Sequence, residues 1–190
     1  MAEVLLLHHI CGLTSGVREL ADAWRRAGHT VHTPDLFEGH TFDAIAEGSE
    51  FTERVGFDEI RARAARAAED LTAELVYAGI SMGVMAAQTL AVTRRGARGA
   101  VLMEAFIAPE WAGPWPEHVP AQIHGMDHDE FFAGEGDLDH ARALAASRED
   151  VELFVYPGTS HLFEDRSLPS HDAQATALLN DRVLEFLARR

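Results

Sequence analysis

The sequence predicts an α/β fold: a mostly parallel, twisted sheet with helices on both faces, in one domain spanning residues 1–190. Three observations predict it. Short runs rich in leucine and β-branched residues alternate with longer segments of helical period, as a parallel sheet requires, because each parallel pair needs a crossover connection. The short runs are apolar almost throughout, the pattern of strands buried on both faces. A chain of 190 residues with 47% hydrophobic content can fill one large core.

In chain order, Val4 to His8 reads as the first strand, and Val17 to Ala27 as a helix with Leu20, Ala21, Trp24 and Ala27 on one face. Gly28 follows where a helix end favours positive φ. Thr30 to Thr33 is the next strand, and Phe57 to Leu75 the next helix, its apolar stripe running through Phe57, Ile60, Ala64, Ala68, Leu71 and Leu75. Strand Val76 to Ile80 leads into a helix from Met82 to Arg94, whose small residues suit close packing on a sheet. Strands Ala100 to Met103, Ala121 to His124 and Glu152 to Tyr156 complete the sheet, with a helix at Leu138 to Ser147 between the last two. The final helix is expected from an N-cap at Ser170 to Ala188, burying Leu178, Leu179, Val183, Phe186 and Leu187. Asp35 to Gly56 and Glu104 to Val119 break the rhythm, and long connections of this kind are often functional. No internal repeat or linker suggests a second domain.

With 31 acidic and 16 basic side chains the net charge is −15, which repels phosphate backbones and anionic lipid surfaces and argues against nucleic acid as a partner. The opening apolar run, Val4 to Leu7, is too short to span a bilayer and lacks the basic lead of a signal peptide, so no membrane association and a cytoplasmic location are expected. The lone Cys11 allows no internal disulfide.

The strongest local signal is Gly79-Ile80-Ser81-Met82-Gly83, a G-x-S-x-G sequence between a strand and a helix. A sharp strand-to-helix turn strains its central residue, lifts the Ser81 hydroxyl above the sheet edge and leaves the Met82 N–H at a helix N-terminus, where a developing oxyanion is stabilised. A serine hydroxyl needs a base, so a histidine is required late in the chain, with an acid before it. Tyr156-Pro157-Gly158-Thr159-Ser160-His161 supplies His161 on the loop after the last strand. For the acid, Asp127 and Asp129 compete in the loop after Ala121 to His124, with Asp137 a more distant third. Asp129 is favoured because Phe131-Phe132 can bury it beside the imidazole. A second oxyanion donor belongs to the loop after the first strand, where the Ile10 N–H is the candidate.

Cys11 has no elbow context and reads as a small buried residue. His124, Asp127, His128 and Asp129 offer metal-ligand types at no established zinc spacing, so no metal and no other cofactor is expected. His9, Phe37, Phe42, Phe106, Trp111 and Trp115 are candidates to line a substrate pocket.

The chain also resembles the dienelactone hydrolase family, over nearly its whole length. The landmarks are His9-Ile10-Cys11-Gly12-Leu13, Arg18 to Ala23 leading to Ala27-Gly28-His29, Pro34-Asp35-Leu36, the Ser81 elbow, the Asp129 loop, and Tyr156-Pro157-Gly158 ahead of His161. The resemblance implies an α/β-hydrolase fold with a minimal lid, a small ester or lactone as substrate, Ser81, Asp129 and His161 at the triad positions, and Ile10 and Met82 as oxyanion donors. The well-known members carry cysteine as nucleophile and a glutamate in the oxyanion loop, where this chain has Ser81 and His9. A family arginine that binds substrate carboxylate has only Arg166 near its place. The sequence therefore predicts a carboxylic ester hydrolase, monomeric or a small homo-oligomer. A competing expectation is a non-catalytic small-molecule binding protein on the same scaffold. A dinucleotide-binding oxidoreductase is disfavoured, because Gly12 and Gly16 do not make the required glycine spacing.

Overall fold

A computed structural model describes residues 1–190. The strands are β1 (Glu3–Leu7), β2 (Thr30–His32), β3 (Val76–Ile80), β4 (Gly99–Met103), β5 (Ala121–Met126) and β6 (Val151–Tyr156). All pair in parallel, in the order β2-β1-β3-β4-β5-β6. The helices are α1 (Ser15–Arg26), α2 (Ile45–Val55), α3 (Phe57–Glu69), α4 (Met82–Thr93), α5 (Pro109–Ala112), α6 (Asp137–Ser147) and α7 (Ala173–Ala188).

Alternate strand residues feed two cores. Leu5, Leu7, Tyr77, Leu102 and Ile123 join a cluster of 27 buried residues with α3, α4 and α6. Val4, Leu6, Val76, Ala78, Val101 and Met103 join a cluster of 25 with α1 and α7. Nearly equal clusters on the two faces account for strands without polar alternation. Strand order reverses between β1 and β3, opening a crevice at their carboxyl ends where the loops after both strands face each other.

Six strands match the expected six, with shifted ends, and the corrections concern the helices. The stripe from Phe57 stops at Glu69 rather than Leu75. The chain must turn back before β3, and Arg94 seals the helix end by donating to the Ala68 and Leu71 carbonyls. Phe57 is 42% exposed. Asp35 to Gly56 contains α2, and Glu104 to Val119 the single turn α5. The last helix is capped by Asp172, which accepts from the Gln174 and Ala175 N–H groups, while Ser170 donates to the Leu162 carbonyl. Leu178 is 44% exposed, because Ala175, Leu179, Val183, Phe186 and Leu187 form the buried stripe. No helix is long and apolar enough to cross a membrane.

Candidate active site

Ser81 leaves the carboxyl end of β3 and caps α4 with φ 48° and ψ −115°, a region that non-glycine residues enter only when their surroundings enforce it. The enforcement is visible. The Ser81 N–H donates to the Met103 carbonyl of β4 at 2.7 Å, and the Ser81 carbonyl accepts from Val84 N–H at 2.8 Å. A Cβ on Gly79 would sit 2.6 Å from the Gly83 carbonyl, and one on Gly83 would sit 2.3 Å from the Leu7 carbonyl oxygen. The two glycines thus let α4 descend directly onto β3 and β1.

The Ser81 Oγ lies 2.7 Å from His161 Nε2. His161 Nδ1 lies 2.6 Å from Asp129 Oδ2. Asp129 is an acceptor, so the ring proton on Nδ1 donates to it and Nε2 is left to accept from the serine hydroxyl. The other Asp129 oxygen accepts the Phe131 N–H at 2.9 Å. Asp129 is fully buried, and the Phe131 ring stands 4.6 Å from the His161 ring. Asp127 acts elsewhere. Half-exposed, it accepts the Gly158 N–H at 2.9 Å and pairs with His128, and so fastens the loop ahead of His161.

Across the crevice, the Ile10 N–H meets no acceptor within the chain. Met82 is the first residue of α4, where helix geometry leaves the N–H without an intrahelical partner. α2 backs the Ile10 loop so closely that a Cβ on Gly48 would lie 2.0 Å from the Ile10 carbonyl oxygen. His9 is fully buried and does not line a pocket. Its Nδ1 accepts the Cys11 N–H at 3.2 Å, which puts its proton on Nε2, and Nε2 donates to Asp165 at 2.8 Å. Asp165 also accepts from the Thr14 hydroxyl and from the Ser167 N–H and hydroxyl. Burial alone would raise its pKa, but the donors from His9, Ser167 and Thr14 prevail and hold it down to about 2. The loop after His161 is thereby bracketed to the loop after β1. His8 adds a tie of the same kind: it donates to the His9 carbonyl, accepts the Leu36 N–H, and is lowered by burial to about 4.

The remaining pocket candidates scatter. Phe37 is buried between His8 and Phe51, and Phe106 is buried near Trp115. Neither has surface for a ligand, because both complete the core beneath the loops. Trp111 is 87% exposed, and Trp115 is half-buried with its indole donating to the Val119 carbonyl. Phe42 is partly buried against Phe37 and Phe51. Cys11 is buried, and burial with nearby carboxylates pushes its thiol up to about 11. Arg166 is exposed and faces Glu19 of α1. His124 bonds Tyr156 and Gln122 inside the core. Sequence reasoning passed over Glu104, a carboxylate directly after β4 that is only 1% exposed. Its position at the carboxyl end of a central parallel strand was the available signal.

No curated protein matches the chain significantly. Among solved structures, a Klebsiella pneumoniae protein assigned as a dienelactone hydrolase superimposes with a TM-score of 0.76 at 18% identity, covering 100% of this chain and 88% of that one. A dienelactone hydrolase-like promiscuous phosphotriesterase from metagenomic libraries gives 0.77 at 19%, covering 100% and 86%. An esterase from Thermogutta terrifontis gives 0.60 at 16%, covering 99% and 83%. These likenesses carry the α/β-hydrolase fold. The dienelactone hydrolase family model matches residues 1–190, and with that match over its whole length the chain belongs to the dienelactone hydrolase family.

Proposed function

We propose that this chain is a serine hydrolase that cleaves a small carboxylic ester or lactone through an acyl-enzyme. The observation that carries the reading is the unbroken run of hydrogen bonds from Ser81 Oγ through both nitrogens of His161 to buried Asp129. Ser81 Oγ attacks the acyl carbon as its proton passes to His161 Nε2, and Asp129 holds the resulting imidazolium. The Ile10 and Met82 N–H groups face the oxygen that gains charge, each worth on the order of 3 kcal/mol in comparable sites. When the tetrahedral adduct collapses, the C–O bond to the alcohol breaks and His161 returns its proton to the departing oxygen. Water then repeats the sequence: it loses a proton to His161, adds to the acyl carbon and expels Ser81 as the acid forms.

The route uses no cofactor. Partly exposed apolar groups at hand, Ile10 and Phe131, favour a small apolar acyl or alkoxy group over a sugar. The lone buried thiol of Cys11 suits a cytoplasmic enzyme, and the reading carries over a monomer or small homo-oligomer.

The test is hydrolysis of p-nitrophenyl acetate by the folded wild type and by Ser81→Ala, with fluorophosphonate labelling of both. Wild-type turnover and labelling, with a loss of at least about 10³-fold in Ser81→Ala, supports the reading. A folded wild type that neither turns over nor labels favours the non-catalytic binding protein.

A further inference from the structure

The loop that carries His161 is gripped from behind by a group with no part in the proton transfers described above. Glu104 follows β4 with φ 63°, and both of its carboxyl oxygens are engaged by the chain just past the histidine. Oε2 accepts the Leu162 N–H at 2.7 Å and Oε1 the Phe163 N–H at 3.0 Å. Leu162 also sits at positive φ, 60°. Two non-glycine residues in the left-handed region, joined by a two-pronged charge-assisted contact, show a backbone held where it would not rest unaided. One Glu104 oxygen, an Asp129 oxygen and a His161 ring nitrogen all lie within 4.8 Å of one another.

We propose that Glu104 is a positioning residue of the hydrolytic site: its carboxylate clamps the peptide groups of Leu162 and Phe163 and so sets His161 in line between Ser81 and Asp129. The proposal rests on the serine hydrolase reading.

The groups facing Glu104 suit such a clamp. Asp129, from the loop after β5, and Glu164, from the loop beyond His161, face it, while Asp165, held by His9 from the loop after β1, faces Glu164. Glu164 is buried with no hydrogen-bond partner for either oxygen. Burial first, and the Asp165 charge among its neighbours, push Glu164 up to about 8. Burial and Glu164 likewise push Glu104 upward, against the pull of its two N–H donors. Two adjacent buried carboxyls cannot both ionise at neutral pH, so the pair keeps a proton. The Leu162 and Phe163 N–H groups favour the ionised form of Glu104, so the shared proton falls to Glu164.

The experiment compares Glu104→Gln and Glu104→Ala with wild type in four readouts: melting temperature, kcat and KM for p-nitrophenyl acetate per fluorophosphonate-labelled site, and the low-field proton resonance of the His161 Nδ1–H in its bond to Asp129. Gln keeps one acceptor and turns an amide NH2 toward the other N–H, so kcat should fall about tenfold, the cost of one such contact. Ala keeps neither, and kcat should fall about 10²-fold. KM should stay within about twofold of wild type. The low-field resonance should weaken in Gln and vanish in Ala. A folded variant that loses melting temperature but keeps kcat per labelled site and the resonance overturns the proposal, since Glu104 would then serve stability alone. If Ala fails to fold, the same readouts on Gln decide. The resonance needs no substrate, so it judges the clamp even if the wild type proves inactive, which would count against the hydrolase reading instead.

Discussion

At Ser81, backbone and side chain answer to different neighbours. β4 and the paired glycines fix the strained turn, while His161 fixes the hydroxyl. The same division separates the two aspartates two positions apart. Asp129→Asn replaces an acceptor of the imidazole N–H with a group that can present a donor to it, disfavouring the tautomer that leaves Nε2 free. Its kcat should fall about 10³- to 10⁴-fold. Asp127→Asn only weakens the Gly158 contact of an exposed pair and should cost less than about tenfold. Ester kinetics of the two folded variants checks this; equal losses would refute the assignment. The sequence put these two positions ahead of Asp137, which instead accepts the Phe106 N–H, and favoured Asp129 because a carboxylate beside Phe131-Phe132 has a visible reason to be buried. Glu104 stayed hidden because its partners are main-chain N–H groups 58 and 59 residues away, and a peptide group has no letter of its own. His9 misled for a related reason: its neighbours in sequence suggest the crevice, yet Asp165, 156 residues on, draws its ring inward.

At the scale of elements, α2 shows how a helix packed beside the candidate site escapes pattern reading. Its buried positions are Gly48, Phe51 and Thr52, so two of the three residues facing inward carry no hydrophobic signal. Their smallness brings the helix against the Ile10 carbonyl. Helix propensity alone predicts that Gly48→Ala stabilises the protein by about 1 kcal/mol. The clash at 2.0 Å predicts the opposite: a loss of about 1–3 kcal/mol, with kcat reduced about tenfold as the Ile10 N–H shifts. Thermal melts and kinetics of Gly48→Ala distinguish the two, and a more stable, fully active variant would rule out the buttress. The strands were legible because burial on both faces leaves a continuous apolar run. The end of α3 was not, since Leu71 and Leu75 keep helical phase after the helix has stopped.

For the whole molecule, the buried acids couple stability to pH. Glu164 has its folded-state proton affinity raised to about 8 from an ordinary 4.5, so the folded chain binds more protons than the unfolded one between those values. Stability falls as pH climbs through that window, and the cost of burying Glu164 is complete above pH 8. Glu164→Gln removes the ionisation and offers Glu104 an amide donor at every pH. Its melting temperature relative to wild type should therefore rise from pH 5 to pH 9, by about 2–8 °C. Calorimetry at the two pH values tests this, and a constant difference would mean that ionisation of Glu164 is not the source. The fold as a whole was readable from the alternation of runs and periods, which depends only on which faces are buried.

The bracket at Asp165 has a further consequence. By joining the loop of the proposed base to the loop of the proposed oxyanion donor, it makes them one rigid body, whose conformational entropy is surrendered once, at folding. A substrate arriving at Ser81 then meets partners already in register, and no ordering cost recurs with each turnover.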